Sequence, residues 1–131
     1  MRPINRYPSV DYLHKAARKK LPKFSYDYVD GGSGADVGLD RNRAALDEIT
    51  LTPRYITDWK PVEMAVELFG QRYSRPFGIA PMGLAGLQYP KAELKFARAG
   101  RKANIPTSLS TACTVDIEDF GAIAGENGWF Q

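Results

Sequence analysis

An alternation that begins near residue 76 constrains this chain more than any other feature. Phe77-Gly78-Ile79-Ala80 is a short apolar run closed by Pro81, the pattern of a buried parallel strand. Residues 91–103 (KAELKFARAGRKA) follow with helical spacing, placing Phe96, Ala99, Gly100 and Ala103 at i, i+3, i+4 and i+7. Ile105-Pro106-Thr107-Ser108-Leu109-Ser110 reads as a second strand. Asp116, backed by Glu118 and Asp119, is the expected N-cap of a helix that continues through Ile123 and Ala124 and ends at Gly125. Gly128-Trp129-Phe130-Gln131 begins a third strand. Strands joined by helices pair in parallel, and such a sheet is covered on both faces, so the fold class is α/β. Its chemistry is expected beyond the C-terminal strand ends, at Pro81-Met82-Gly83, Ser110-Thr111-Ala112 and Gln131. No G-x-G-x-x-G follows any of these strands, which counts against a dinucleotide-binding fingerprint.

The residues upstream have a different texture. Residues 8–20 read as a helix with Ser9 as N-cap, Asp11 at its positive end, and Arg18, Lys19 and Lys20 at its negative end. Val10, Leu13 and Ala17 supply a narrow apolar stripe, and Leu21-Pro22 stops the helix. A second helix is expected over 22–30 with Pro22 near its first turn, then a glycine-rich break at Gly31-Gly32-Ser33-Gly34, then a third helix over 36–48. With no strand before it, that break is a poor phosphate loop. Residues 49–74 read as a strand pair or extended cover, built from ITLTPRYI and VEMAVELFG.

At 131 residues, with 44% hydrophobic and 25% charged residues, the chain has room for one globular domain and is not disordered as a whole. Residues 1–23 carry seven Lys/Arg (Arg2, Arg6, Lys15, Arg18, Lys19, Lys20, Lys23) against Asp11, a net +6, while residues 24–131 sum to −3. The basic character is therefore one amphipathic segment, read as a solvated helix face, with an anionic surface or nucleic acid as the rival reading. No interleaved aromatic pattern accompanies it, so no nucleic-acid partner is expected. Uncharged apolar stretches fall short of the ~18–20 residues of a bilayer span, and the first residues lack the apolar core of a secretory signal. Cys113 is a lone thiol without metal-ligand neighbours, expected as a small packing residue. Asp27, Asp30 and Asp36 lack calcium-loop spacing, so no metal site is expected. A reducing, cytoplasmic location follows as the default, with a peripheral association at the inner face of the membrane left open.

The order of the pieces resembles the FMN-dependent α-hydroxy acid dehydrogenase and oxidase family, which includes glycolate oxidase, L-lactate dehydrogenase and mandelate dehydrogenase. The resemblance is carried by Lys20-Leu21-Pro22-Lys23, Tyr26-Asp27-Tyr28 with Gly31-Gly32, Asn42-Arg43, Pro53-Arg54 and Ile79-Ala80-Pro81-Met82-Gly83. It continues through Pro90-Lys91, Ala97-Arg98-Ala99, Leu109-Ser110-Thr111-Ala112, Ile117-Glu118-Asp119 and Trp129-Phe130-Gln131, collinear from about residue 8 onward. It implies a (β/α)8 TIM barrel, of which this chain holds the N-terminal portion. Residues 1–75 would be the helical preamble and barrel cover, and 76–131 about the first three strands. A whole barrel takes roughly 250 residues, so the chain is expected to be an N-terminal piece.

The same resemblance assigns roles. Pro81, Met82 and Gly83 would line the flavin ring with backbone groups, and Ser110 and Gln131 would give it side-chain hydrogen bonds. Tyr28 would bind the carboxylate of a 2-hydroxy acid, a task suited to a phenol that donates without carrying charge. Read without the resemblance, Pro81 is a cis or kinked turn, Ser110 a helix cap, Gln131 a polar end and Tyr28 a core aromatic. Gly83 and Ala112 would leave space above the flavin for a larger 2-hydroxy acid. The family's catalytic histidine, its neighbouring arginine and its phosphate-binding basic groups belong to later segments, and His14 is out of register with them, a surface residue. No catalytic residue is therefore expected within 1–131, and the isolated chain is expected to be inactive. The electron acceptor (oxygen, quinone or cytochrome) and the formation of a homo-oligomer by the complete enzyme stay open. The alternative is a non-catalytic FMN-binding or assembly piece completed by a second chain.

Overall fold

The computed structural model describes residues 7–56 and 58–131, and Arg2 and Arg6 of the basic segment lie outside the described residues. The chain forms two compact units, Met1–Trp59 and Lys60–Gln131.

The first unit holds three helices, α1 (Val10–Lys20), α2 (Lys23–Asp30) and α3 (Val37–Asp47), close to the expected spans. Ser9 stands at the N-cap of α1 in extended conformation, but its hydroxyl caps nothing; its carbonyl instead accepts from Tyr12 N at 3.2 Å. Pro22 opens α2 by accepting from Ser25 N and Tyr26 N at 3.1 and 2.9 Å. Three side chains join α1 to α2. His14 Nε2 lies 2.5 Å from Asp30 Oδ1 and 2.6 Å from the Tyr26 hydroxyl, with the His14 ring stacked on Tyr26. The Tyr26 hydroxyl, and His14 after it, hold the Asp30 carboxyl below its ordinary range. Arg43 on α3 donates to Asp11 at 3.1 Å. The stripe expected of α1 forms no core: Val10 and Leu13 are 74% and 50% exposed, and Ser25 alone is buried among the unit's described residues.

The second unit opens with an antiparallel hairpin, β1 (Val66–Leu68) and β2 (Gln71–Tyr73), turning through Phe69 and Gly70 at positive φ. Only the VEL of the expected strand pair is a strand, and it pairs with residues 71–73, whereas ITLTPRYI forms none among the described residues. The segment around Ile79 then leads to α4 (Ala92–Ala103), β3 (Thr107–Leu109), α5 (Ile117–Ala124) and β4 (Gly128–Phe130). β3 and β4 pair in parallel, with Ser108 opposite Trp129. Ile79 pairs in parallel with Thr107 on the other side of β3, through Ile79 N to Pro106 O (2.8 Å) and Ser108 N to Ile79 O (2.9 Å). Neighbouring strands thus follow in chain order, each reached through a helix: a partial α/β fold. Phe77–Ala80 departs from the buried strand expected of it. Pairing reduces to one bridge at Ile79, Phe77 is 62% exposed, and among the described residues the segment pairs on the β3 side only.

Helices α4 and α5 cover one face of the sheet. Leu94, Ala97, Leu109, Phe120 and Ala124 form the core there, with Cys113, Val115 and Ile123 packed against it, so Cys113 is a packing residue as expected. The buried stripe of α4 is Leu94, Ala97 and Gly100, while Phe96 is half-buried and Ala99 and Ala103 are exposed. The small residues win the inner face because α4 lies hard against β3. A Cβ on Gly100 would stand 1.7 Å from Thr107 Oγ1. Asp116 precedes α5, but its carbonyl, accepting from Phe120 N at 3.1 Å, closes the turn without a side-chain cap. Gly125 ends α5 at φ 58°, where a side chain is disfavoured.

Candidate functional site

At the C-terminal ends of the parallel strands lie three segments: the turn after Ile79, the turn after Leu109, and Gln131 following Phe130. Pro81, Met82 and Gly83 follow the first, and every peptide bond among the described residues is trans. The N–H groups of Met82 and Gly83 take no hydrogen-bond partner among the described residues. The next residue, Leu84, adopts φ 52° and starts the 3₁₀ turn Ala85–Leu87.

Ser110 lies at the end of β3 and is 6% exposed. Its Oγ accepts from Ala112 N at 3.2 Å, closing a tight turn, and donates to Gln131 Oε1 at 3.2 Å. It caps no helix. Gln131 continues β4, its N–H donating to Leu109 O at 3.1 Å, and its side-chain amide N–H groups have no partner among the described residues. The loops after the first two strands are joined directly, Leu84 N donating to Ala112 O at 2.8 Å. Pro81–Gly83, Ser110 and Gln131 therefore stand in one unit, on the same ends of adjacent strands. Tyr28 belongs to the first unit, on α2, where its ring is 53% exposed rather than held in a core.

The donor set suits a planar heteroaromatic ring with alternating nitrogens and carbonyl oxygens. It offers main-chain N–H groups and the side-chain amide N–H groups of Gln131, oriented by the Ser110 hydroxyl that donates to Gln131 Oε1, with no charged side chain among them. An isoalloxazine ring is such a group, and it needs donors where electron density collects on reduction. The residues present fit it. Gly83 and Ala112 carry at most a methyl group beside these loops.

Beneath the loops lies a group that the sequence reading passed over. Glu93, in the first turn of α4, is 3% exposed. Its Oε1 accepts from Thr114 N at 3.0 Å and from Thr114 Oγ1 at 2.9 Å. Burial pushes its carboxyl up, but main-chain donors at Glu93, Thr114 and Gly86, with the Thr114 hydroxyl, outweigh this and hold it below the ordinary range. Spacing shows only an acidic residue in a helix's first turn, commonly a solvated one. No helix among the described residues is long and apolar enough to cross a membrane.

Comparison with known proteins points the same way. The model of the FMN-dependent dehydrogenase family matches residues 17–131. The chain is 37% identical over 125 residues to a 4-hydroxymandelate oxidase of Amycolatopsis orientalis, covering 95% of this chain and 35% of that protein. It is 37% identical over 123 residues to an (S)-mandelate dehydrogenase of Pseudomonas putida (94% and 31%). To an L-lactate dehydrogenase of Ectopseudomonas mendocina (strain ymp) it is 38% identical over 123 residues (94% and 32%). A crystal structure of mandelate oxidase superposes with a TM-score of 0.84 at 37% identity, covering 95% of this chain and 36% of that one. Another mandelate oxidase structure holds a C4a-OH-FMN adduct. The chain spans about a third of the length of the curated relatives it matches. Its strand order, its neutral donor set and its match over residues 17–131 lead to one conclusion: the chain belongs to the FMN-dependent dehydrogenase family.

Proposed function

We propose that this chain supplies the ring-facing part of a flavin site that oxidises a 2-hydroxy acid to the 2-oxo acid. Residues 76–131 would be the first βαβαβ of a (β/α)8 barrel, and 1–75 its helical preamble and cover. Pro81, Met82, Gly83, Ser110 and Gln131 contact the FMN ring, and Tyr28 holds the substrate carboxylate. One observation carries the reading. Main-chain donors at Met82 and Gly83 share adjacent strand ends with Ser110 and Gln131, which are joined at 3.2 Å.

When bound, FMN takes up the two electrons that the substrate's carbinol carbon gives up. The chain's own residues bind and orient. The main-chain donors and the Ser110–Gln131 pair fix the ring edge, and the phenol of Tyr28 donates to a carboxylate without adding a charge that competes for the substrate's proton. A general base must also take the hydroxyl proton. The sequence has one histidine, His14, and it is engaged on α1 with Asp30 and Tyr26. We therefore place binding, and not turnover, in residues 1–131. The mandelate enzymes among the relatives, with the small residues Gly83 and Ala112, favour a 2-hydroxy acid with a bulky side chain.

The test is an FMN titration followed by quenching of flavin fluorescence, with Ser110→Ala and Gln131→Ala beside the parent chain. Saturable quenching that both substitutions weaken supports the site. Absence of quenching, or variants that bind like the parent, overturns it. Bleaching of bound flavin by (S)-mandelate in the 131-residue chain overturns the placement of turnover elsewhere.

A further inference from the structure

We propose that Glu93 is a positioning residue for this site, its carboxylate fastening the loop after β3 to α4 at the point where that loop packs against the turn that follows Gly83. The inference rests on the flavin-site reading for its function and on the structure for its geometry. Two rungs hold the loop after β3, one to the turn that follows Gly83 and one to α4. One is Leu84 N to Ala112 O at 2.8 Å; Leu84 directly follows Gly83, and Ala112 N in turn donates to Ser110 Oγ. The other is Glu93 Oε1, which takes both the N–H and the hydroxyl of Thr114. Between the rungs there is no slack: a Cβ on Gly86 would lie 2.0 Å from Thr114 Oγ1 and 2.9 Å from Thr114 Cβ.

The chemistry of the carboxylate argues for more than space filling. Its other oxygen, Oε2, is buried and has no hydrogen-bond partner among the described residues. Keeping an acidic side chain out of water at that cost is unfavourable unless the charge strengthens the bonds it does make. Charged acceptors form shorter, stiffer hydrogen bonds than neutral ones, and stiffness is what a ring-binding loop needs from beneath. Because Glu93 sits on α4, the clamp refers both loops to the helix whose other end is seated on β3.

Amide hydrogen exchange on the full chain tests the clamp without reference to flavin. In Glu93→Ala, the Leu84 and Thr114 amides are expected to exchange at least about tenfold faster while α5 amides keep their protection. Glu93→Gln, which keeps an acceptor for Thr114, is expected to restore most of it. Thr114→Val, which keeps the side-chain shape and removes the hydroxyl, gives a smaller acceleration and serves if Glu93→Ala fails to fold. FMN binding to the same proteins, read by flavin quenching, is expected to weaken about tenfold in Glu93→Ala and to recover in Glu93→Gln. Unchanged Leu84 exchange in Glu93→Ala, or in Thr114→Val where that is the folded variant, overturns the clamp. Faster exchange with unaltered FMN affinity overturns its positioning role. A parent chain that takes up no FMN overturns the flavin-site reading, and the exchange data then decide the clamp on their own.

Discussion

The indole Nε1 of Trp129 donates to the hydroxyl of Tyr73 at 3.1 Å, tying a strand of the parallel sheet to the antiparallel hairpin through two aromatic side chains. Their rings meet edge to face with centroids 6.2 Å apart, and Tyr73 is 1% exposed. Removing the hydroxyl leaves a ring of almost the same shape and an indole donor with nothing to donate to. Tyr73→Phe is expected to cost about 1 kcal/mol of stability, measured as a lower urea midpoint at unchanged slope. An unchanged midpoint would show that the Trp129–Tyr73 hydrogen bond adds nothing to the packing of the two rings.

The buried carboxylate gives a pH dependence with a definite sign. Glu93 is held below its ordinary value of 4.5, so the folded chain binds that proton less readily than the unfolded one. Its contribution is complete above the unfolded value and disappears as pH falls through the folded one. Urea unfolding of the parent and Glu93→Gln should therefore show the parent's advantage at pH 6–7 shrinking as pH drops below about 4.5. Taking the difference removes the other carboxylates common to both proteins. An advantage that grows toward acid contradicts the direction of the shift.

Gly100 offers a double-mutant cycle. An added methyl meets Thr107 Oγ1 at 1.7 Å and Thr107 Cβ at 3.0 Å, and rotating the threonine only brings its other branch into the gap. Gly100→Ala gains about 1 kcal/mol of helix propensity but is expected to lose about 1–3 kcal/mol to overpacking. The net effect in the parent is destabilising. In a Thr107→Ala background the 1.7 Å overlap is removed, leaving close contacts to the residue-107 Cβ (3.0 Å) and Ile105 O (3.3 Å), so the same substitution costs less than in the parent; equal effects in the two backgrounds would refute the contact.

The first unit can be probed by titration. The Tyr26 hydroxyl is the largest cause of the lowered Asp30 carboxyl, with His14 behind it. In Tyr26→Phe, carboxyl chemical shifts should show Asp30 titrating at a higher pH than in the parent. A value that stays put would assign the effect to His14 instead.

How much of this was legible beforehand depended on whether a pattern was local. The alternation of strand and helix from residue 76 came through because apolar runs, helical spacing and Gly125 each act within a few residues. The collinear resemblance added the family, and comparison established it over residues 17–131. Side-chain caps at Ser9 and Asp116 were expected from residue type, yet both turns close through main-chain carbonyls. Of the α4 stripe expected from spacing (Phe96, Ala99, Gly100 and Ala103), Gly100 alone is buried, and the inner face runs instead through Leu94, Ala97 and Gly100, where the helix approaches Thr107. The role of Glu93 was illegible in principle. Thr114, which makes a buried acid tolerable, lies 21 residues away, and only tertiary folding brings them together.

Helix α4 has a consequence beyond its packing. Gly100, near its C-terminal end, fixes how close the helix comes to the start of β3, while Glu93, near its N-terminal end, grips the loop that leaves β3. The seven-position separation between them spans about 10.5 Å of helix axis. That length acts as a gauge block: whatever height the glycine seat gives the helix at one end, the rise per residue transfers to the loops at the other. Inserting a single residue between the two would turn Glu93 about 100° around the axis and take the carboxylate out of line with Thr114. The spacing from 93 to 100 is thus a dimension of the site, although neither residue touches what the site binds.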